Sequence, residues 1–230
     1  MRLTTLASRL LDLFGPEARS WIEFHSGHRS WFYPWGGPMN DQTARQRVVR
    51  ALIHAVQPAH AIETGTYRGV TTEWLARFGV PVLTIESEER AFLFARRRLA
   101  RFGHVRVVRG DSVDVLRALP HDDRVVFCYL DAHDPDHTPL RDELRAVVER
   151  MPRAVVVIDD FAIPDDAGYG ANEGIDLEAL DRSGLPRPCG LFFPTVPSSE
   201  ETGHRRGAAV VTWDRALAER IATVELLRPR

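Results

Sequence analysis

Apolar runs at residues 59–63, 81–86, 104–109, 124–130 and 153–159 alternate with helical patterns near 69–79, 88–102, 111–119 and 138–151. A chain that alternates this regularly must cover both faces of one sheet with its crossover helices, which predicts a parallel, doubly wound α/β arrangement. The last helical pattern is predicted to open with Thr138 as N-cap and Pro139 at the first helical position, where a missing N–H costs nothing.

The two ends depart from the alternation. Leu3, Leu6, Leu10 and Leu13 recur at helical spacing, and a second short helix is expected from Pro16 to Phe24. Residues 25–40 form a Gly/Pro-rich stretch with the aromatics Trp31, Phe32, Tyr33 and Trp35, which reads as a loop that either covers a site or plugs the extension onto the core. Asp41 is the expected N-cap of a helix carrying Val48, Val49, Leu52, Ile53 and Val56. A helix near 174–182 precedes two strand-like segments, 189–194 and 207–213, joined by a long loop, so an antiparallel hairpin is expected at the sheet edge. The whole reads as a Rossmann-like doubly wound, mostly parallel seven-stranded sheet with an antiparallel C-terminal hairpin and a helical N-terminal extension. Residues 1–40 are taken as the extension and 41–230 as the domain.

Composition narrows the chemistry. All 30 basic residues are arginine, so a Schiff base, a pyridoxal-phosphate anchor and a P-loop lysine are excluded. A net charge of -2 offers no basic face for nucleic acid, and a small-molecule substrate is favoured. No apolar run reaches the roughly 20 residues of a membrane helix, and Met1–Ala7 turns polar too soon for a signal-peptide core, so no membrane partner and a cytoplasmic location are expected. Cys128 and Cys189 lack zinc-site spacing and are expected to pack as apolar residues in strands. Arg96, Arg97 and Arg98 read as a solvated helix face.

The segment Ala61–Thr72 reads as a buried strand, a glycine turn and a helix. Gly65 and Gly69 flank Thr66, Tyr67 and Arg68, so the G-x-G-x-x-G that lets backbone approach a pyrophosphate is missing. S-adenosylmethionine has no phosphate and tolerates a bulkier turn, and Glu63 could recruit its ammonium group directly or through water. Glu63 followed by x-G-x-x-x-G resembles the first motif of class I methyltransferases, with Tyr67 in place of the usual central glycine. That resemblance implies an S-adenosylmethionine site built from Glu63, Gly65, Thr66, Tyr67 and Gly69. It also implies that Glu86, after the second run, accepts from the ribose hydroxyls, and that Asp111 and Ser112, after the third, contact the adenine. Taken singly, Glu86 is equally a solvated strand-end carboxylate and Asp111 an ordinary helix cap.

Asp131 follows the fourth run, and Asp159 and Asp160 end the fifth. In a doubly wound sheet these ends are neighbours, where three carboxylates repel unless protons or a cation neutralise them. An all-oxygen set suits Mg²⁺, although Asp159 and Asp160 could equally end the strand and cap a turn. Over about residues 40–213 this arrangement resembles the metal-dependent O-methyltransferases of natural-product biosynthesis, including the macrolide-sugar type, and more distantly the catechol type. There a divalent cation chelates adjacent substrate oxygens and orients the hydroxyl. The resemblance places Asp131 in both cofactor and catalytic roles, with Asp131, Asp159 and Asp160 as metal ligands.

Two departures matter. The lysine base of the catechol type is impossible here, and His133 stands where many sugar enzymes carry a second acid. His133 is the preferred general base, with Asp134 and His137 as alternatives and metal ligation as another role for His133. The polar stretches Ile163–Gly170 and Ser198–Arg206 are expected to shape an acceptor pocket or lid. The expected function is Mg-assisted O-methylation of a hydroxylated small molecule. A degenerate fold acting as a binding subunit and an NAD-dependent oxidoreductase are the alternatives, and the N-terminal extension is a candidate homodimer interface.

Overall fold

A computed structural model describes residues 15–25, 36–132 and 139–230. Its strands are β1 His60–Thr64, β2 Val82–Glu86, β3 Val105–Arg109, β4 Val126–Leu130, β5 Ala154–Asp159, β6 Gly190–Pro194, β7 Ala208–Thr212 and β8 Leu227–Pro229. The α-helices among the described residues are α1 Pro16–His25, α2 Thr43–Val56, α3 Val70–Ala76, α4 Glu89–Leu99, α5 Ser112–Ala118, α6 Leu140–Arg150, α7 Leu177–Asp181 and α8 Arg215–Ile221.

The strands form one sheet in the order β3-β2-β1-β4-β5-β7-β6-β8. β1 to β5 run parallel, and β6, β7 and β8 run antiparallel to their neighbours. β4 and β5 are buried along their whole length, as the unbroken apolar runs of a central parallel strand require. β3 at the edge instead exposes Arg106 and Arg109. The expected seven strands become eight: Leu227-Arg228-Pro229 is too short to show a period, yet Arg228 lies in register with Phe193 and over its ring at 5.5 Å.

Alternate side chains of the central strands serve two cores. Phe127, Tyr129, Val155 and Val157 join Val48, Leu52, Leu75, Leu217 and Ile221 on one face. Cys128, Leu130, Val156 and Ile158 join Leu144 and Val147 on the other. Cys128 packs as expected, but Cys189 is exposed just before β6, its thiol donating to the Trp213 carbonyl at 3.0 Å.

Several helix starts are fixed by local acids: Glu88 caps α4, accepting from Ala91 N–H at 2.6 Å, and Asp111 caps α5, accepting from Asp114 N–H at 3.1 Å. α2 differs from its sequence reading. Asp41 lies in a left-handed turn at φ 59 and does not cap it. Glu201, far along the chain, does so instead, accepting from the Ala44 and Arg45 N–H groups at 3.0 and 3.1 Å. The negative carboxylate also suits the positive end of the helix. α6 begins at Leu140 with Pro139 in the cap position, and Thr138 lies outside the described residues.

The leucine pattern of residues 3–13 also lies outside the described residues, but α1 is seen to pack on α4. Arg97 bonds to Ser20 at 2.7 Å and to Glu17, and Phe24 meets Phe94 edge-on at 5.5 Å. Arg98 reaches Glu73 at 2.8 Å. The arginine run is therefore a set of inter-element ties as well as a solvated face. No helix among the described residues is long and apolar enough to cross a membrane.

Candidate functional site

The chain leaves β1 towards β2 on one side and passes to β4 on the other, so the topological switch lies between β1 and β4. Thr64 pairs with Leu130 and Leu130 with Ile158, which aligns the carboxyl ends of β1, β4 and β5. A cleft of about 450 Å³ opens above them, within the size range of small-molecule sites.

The glycine turn forms one wall. Gly65 sits at φ 76, and a Cβ there would lie 2.3 Å from the Asp131 carbonyl oxygen, so only glycine lets the β1 turn pass over the end of β4. Tyr67 is also left-handed at φ 47, and Gly69 at φ 70 starts α3. Thr66 and Tyr67 line the cleft, with Tyr67 41% exposed, whereas Gly69 faces Leu99 and Ala95 behind the turn.

Glu86 lies on the cleft wall at the end of β2. Its carboxylate accepts from Tyr67 N–H at 2.6 Å and Glu88 N–H at 2.8 Å, tying the tip of the glycine turn to the next strand. Burial pushes its pKa up, against these backbone N–H groups. Asp111 and Ser112, at the end of β3, line the same cleft, and Asp111 is at once a helix cap and a cleft residue.

Glu63 is placed otherwise than expected. It is 2% exposed and does not line the cleft. Its carboxyl accepts from the hydroxyls of Thr72 and Thr84, the latter at 2.6 Å, and Thr84 meets Thr66 at 2.6 Å. Burial raises Glu63 to about 7 despite those bonds. Its connection to the cleft is the hydroxyl chain ending at Thr66.

The acidic end of the cleft is organised by two arginines that the sequence reading missed. Asp159 faces inward: Oδ1 accepts from Arg45, and Oδ2 accepts from the Tyr129 hydroxyl at 2.7 Å. Asp160, at φ 55, turns to the cleft, where Oδ1 accepts from Arg206 Nε at 2.6 Å and Oδ2 from Asn172 Nδ2 at 2.9 Å. Asp131 lines the cleft, and burial, followed by the charges of Asp159, Asp160 and Glu63, holds its carboxyl well above the usual range. The metal centre expected of Asp131, Asp159 and Asp160 is not formed: no group of three or more His, Cys, Asp or Glu among the described residues is arranged to hold an ion. The physical reason is that guanidinium groups already neutralise two of the three aspartates. His133, Asp134 and His137 lie outside the described residues.

A signal for Arg45 was present in the sequence. It stands three and four residues before Val48 and Val49, on the apolar face of α2, where a charge requires a buried partner. Arg206, Asn172 and Glu143 carried none as plain. Glu143 is buried beneath Ser112; burial raises its carboxyl to about 7, with the Ser112 and Thr64 hydroxyls pulling the other way. Its Oε1 has no hydrogen-bond partner among the described residues.

The remaining wall joins distant segments. Met39, Asn40 and Asp41 are successive left-handed residues, and the Asn40 carbonyl accepts from His204 N–H at 2.8 Å. A Cβ on Gly203 would lie 2.2 Å from that carbonyl oxygen. Gln42 and Arg206 exchange two bonds at 3.0 Å, and Gly170 bridges to Arg206. Of the two polar stretches expected to shape a pocket, Ser198–Arg206 reaches the cleft through His204 and Arg206, whereas Ile163–Gly170 does not line it and Asn172, two residues further on, does.

Among solved structures, an O-methyltransferase from Bacillus cereus in complex with SAH (S-adenosylhomocysteine) aligns with a TM-score of 0.57 at 18% identity, over 86% of this chain and 91% of that one. TomG from Streptomyces achromogenes, an O-methyltransferase of tomaymycin synthesis in complex with SAM (S-adenosylmethionine), aligns at 0.55 and 20%, over 86% and 89%. A Klebsiella pneumoniae protein assigned as an O-methyltransferase aligns at 0.53 and 20%, over 90% and 96%. The chain has the class I methyltransferase fold. No protein-family model and no curated protein matches it. In that fold the switch-point cleft lies where the glycine turn, Glu86 and Asp111 meet.

Proposed function

We propose that the chain is an S-adenosylmethionine-dependent O-methyltransferase acting on a hydroxylated small molecule, a secondary metabolite or sugar, with a cytoplasmic location as part of the same reading. The carrying observation is that Gly65, Glu86 and Asp111, from three strand ends, border one cleft at the switch point of a class I fold. The cleft fits the cofactor by its chemistry. The Gly65 turn packs tightly over the end of β4 beside the cleft, and Glu86 offers a carboxylate to paired hydroxyls.

When bound, S-adenosylmethionine supplies a methyl group activated by its sulfonium charge. The chain's own residues do the rest. Glu86 binds the ribose hydroxyls, Asp111 and Ser112 meet the adenine edge, and Thr66 and Tyr67 line the side of the glycine turn. Thr66, Glu86 and Ser112 are buried in these walls, while Tyr67 and Asp111 stand exposed at the mouth. His133, two residues after Asp131, takes the proton of the acceptor hydroxyl. Asp131 lines the same cleft, its carboxyl raised above the usual range chiefly by burial.

Calorimetry of the purified chain with S-adenosylmethionine, S-adenosylhomocysteine and NAD tests the reading. One S-adenosylhomocysteine per chain and no heat from NAD is the expected result. Binding of NAD in its place would overturn it, as would silence to all three.

A further inference from the structure

The cleft's acidic end contains matched opposite charges. Arg45 comes from the first turn of α2, and its two terminal nitrogens reach Asp159 Oδ1 and the Arg206 carbonyl. Arg206 precedes β7 and holds Asp160 through Nε at 2.6 Å, with Asn172 bonded to both partners. Arg206 faces the cleft, whereas Arg45 is enclosed behind it. The two guanidiniums are linked through the Arg206 backbone, so they act as one unit.

A Mg²⁺ ion needs near-octahedral oxygen ligands, usually including one or two carboxylates with free lone pairs facing it. Here the Asp159 oxygens are taken by Arg45, Tyr129 and the Asp160 N–H, and the Asp160 oxygens by Arg206 and Asn172. A cation entering between them would have to displace charged, directional bonds and would meet two fixed positive groups.

We propose that Arg45 and Arg206 occupy the role of the divalent cation, so that the acceptor side of this cleft is a guanidinium-clamped site that holds no metal at Asp159 and Asp160. Its consequence for specificity rests on the methyl-transfer reading. A chelated cation selects acceptors with two adjacent oxygens, whereas a guanidinium on the wall asks only for one hydrogen-bond-accepting or anionic oxygen near the reacting hydroxyl. The favoured acceptor class is then a lone hydroxyl beside a carboxylate or carbonyl, with Arg206 as its specificity-determining contact.

The test is Mn²⁺ binding to the full chain, followed by electron paramagnetic resonance of the free ion, and it is read as the occupancy that Asp160→Asn removes. Zero such ions are expected in the otherwise unaltered protein. One ion is expected in Arg206→Ala, where the Asp160 carboxylate is released. The Arg206 side chain is 18% exposed and its backbone bonds to Gln42 and Arg45 do not depend on the guanidinium, and Arg206→Gln provides a second, more conservative release of Asp160. An Asp160-dependent ion in the unaltered protein overturns the proposal, and so does its absence from both Arg206 variants. S-adenosylhomocysteine binding, measured separately on the same samples, reports failure of the methyltransferase reading independently of the Mn²⁺ result.

Discussion

Arg45 in the first turn of α2 and Asp159 at the last position of β5 form an ion pair whose side chains are 3% and 0% exposed. Removing one partner of such a pair leaves an uncompensated buried charge, at a cost of about 3–5 kcal/mol. Arg45→Met should therefore lower the melting temperature by roughly 6–20 °C. The double variant Arg45→Met/Asp159→Leu should recover part of the loss. Scanning calorimetry checks both, and a single variant that melts with the parent protein would show that the pair adds nothing.

Gly65→Ala probes the glycine turn. At φ 76, with Asp131 oxygen 2.3 Å from the new Cβ, the turn must shift away from β4. Strain of this kind costs about 1–3 kcal/mol. We expect S-adenosylhomocysteine affinity to fall at least about tenfold with a melting loss of several degrees. Unaltered affinity would place the cofactor elsewhere.

Glu86→Gln keeps the shape of the side chain and removes its charge. Hydrogen bonds to a charged group contribute about 1.5–3 kcal/mol, so S-adenosylhomocysteine should bind roughly 10- to 150-fold more weakly. Titration calorimetry reads the change, and a loss below threefold would remove Glu86 from the ribose site.

Glu143 gives a pH prediction. Its carboxyl is raised from an ordinary 4.5 to about 7, chiefly by burial. The folded chain therefore keeps a proton that the unfolded chain has released. The stability it contributes is whole below pH 4.5 and is lost as pH rises through about 7. The full effect is on the order of 3 kcal/mol. Glu143→Gln cannot ionise, so its melting temperature should decline less than the parent's from about pH 5 to about pH 8. Parallel melting curves against pH would acquit Glu143. Glu63 shifts in the same direction and is the natural second variant.

The parallel sheet was legible because β4 and β5 are continuous apolar runs and the crossovers keep helical spacing. The glycine turn was legible because Gly65 and Gly69 interrupt a strand-helix junction. The pairing of Asp159 and Asp160 was not legible, because their partners lie far away in sequence: Arg45 is 114 residues from Asp159, and Arg206 is 46 from Asp160. Glu63 misled for a related reason. A strand-end acid reads the same whether it faces solvent or is held by Thr72 and Thr84, and only tertiary packing decides. The α2 cap was hidden likewise, since Asp41 has the right residue type in the right place and Glu201 performs the task.

The crossing of residues 39–41 with Gly203 and His204 makes the two ends of the polypeptide mutually dependent. The left-handed turn, anchored on one side to Thr71, rests on the other on a backbone that arrives only after β6 has been laid down. Trimming either terminus far enough to disturb one would open the same flank of the cavity, and shortening the chain from opposite directions would give one common defect.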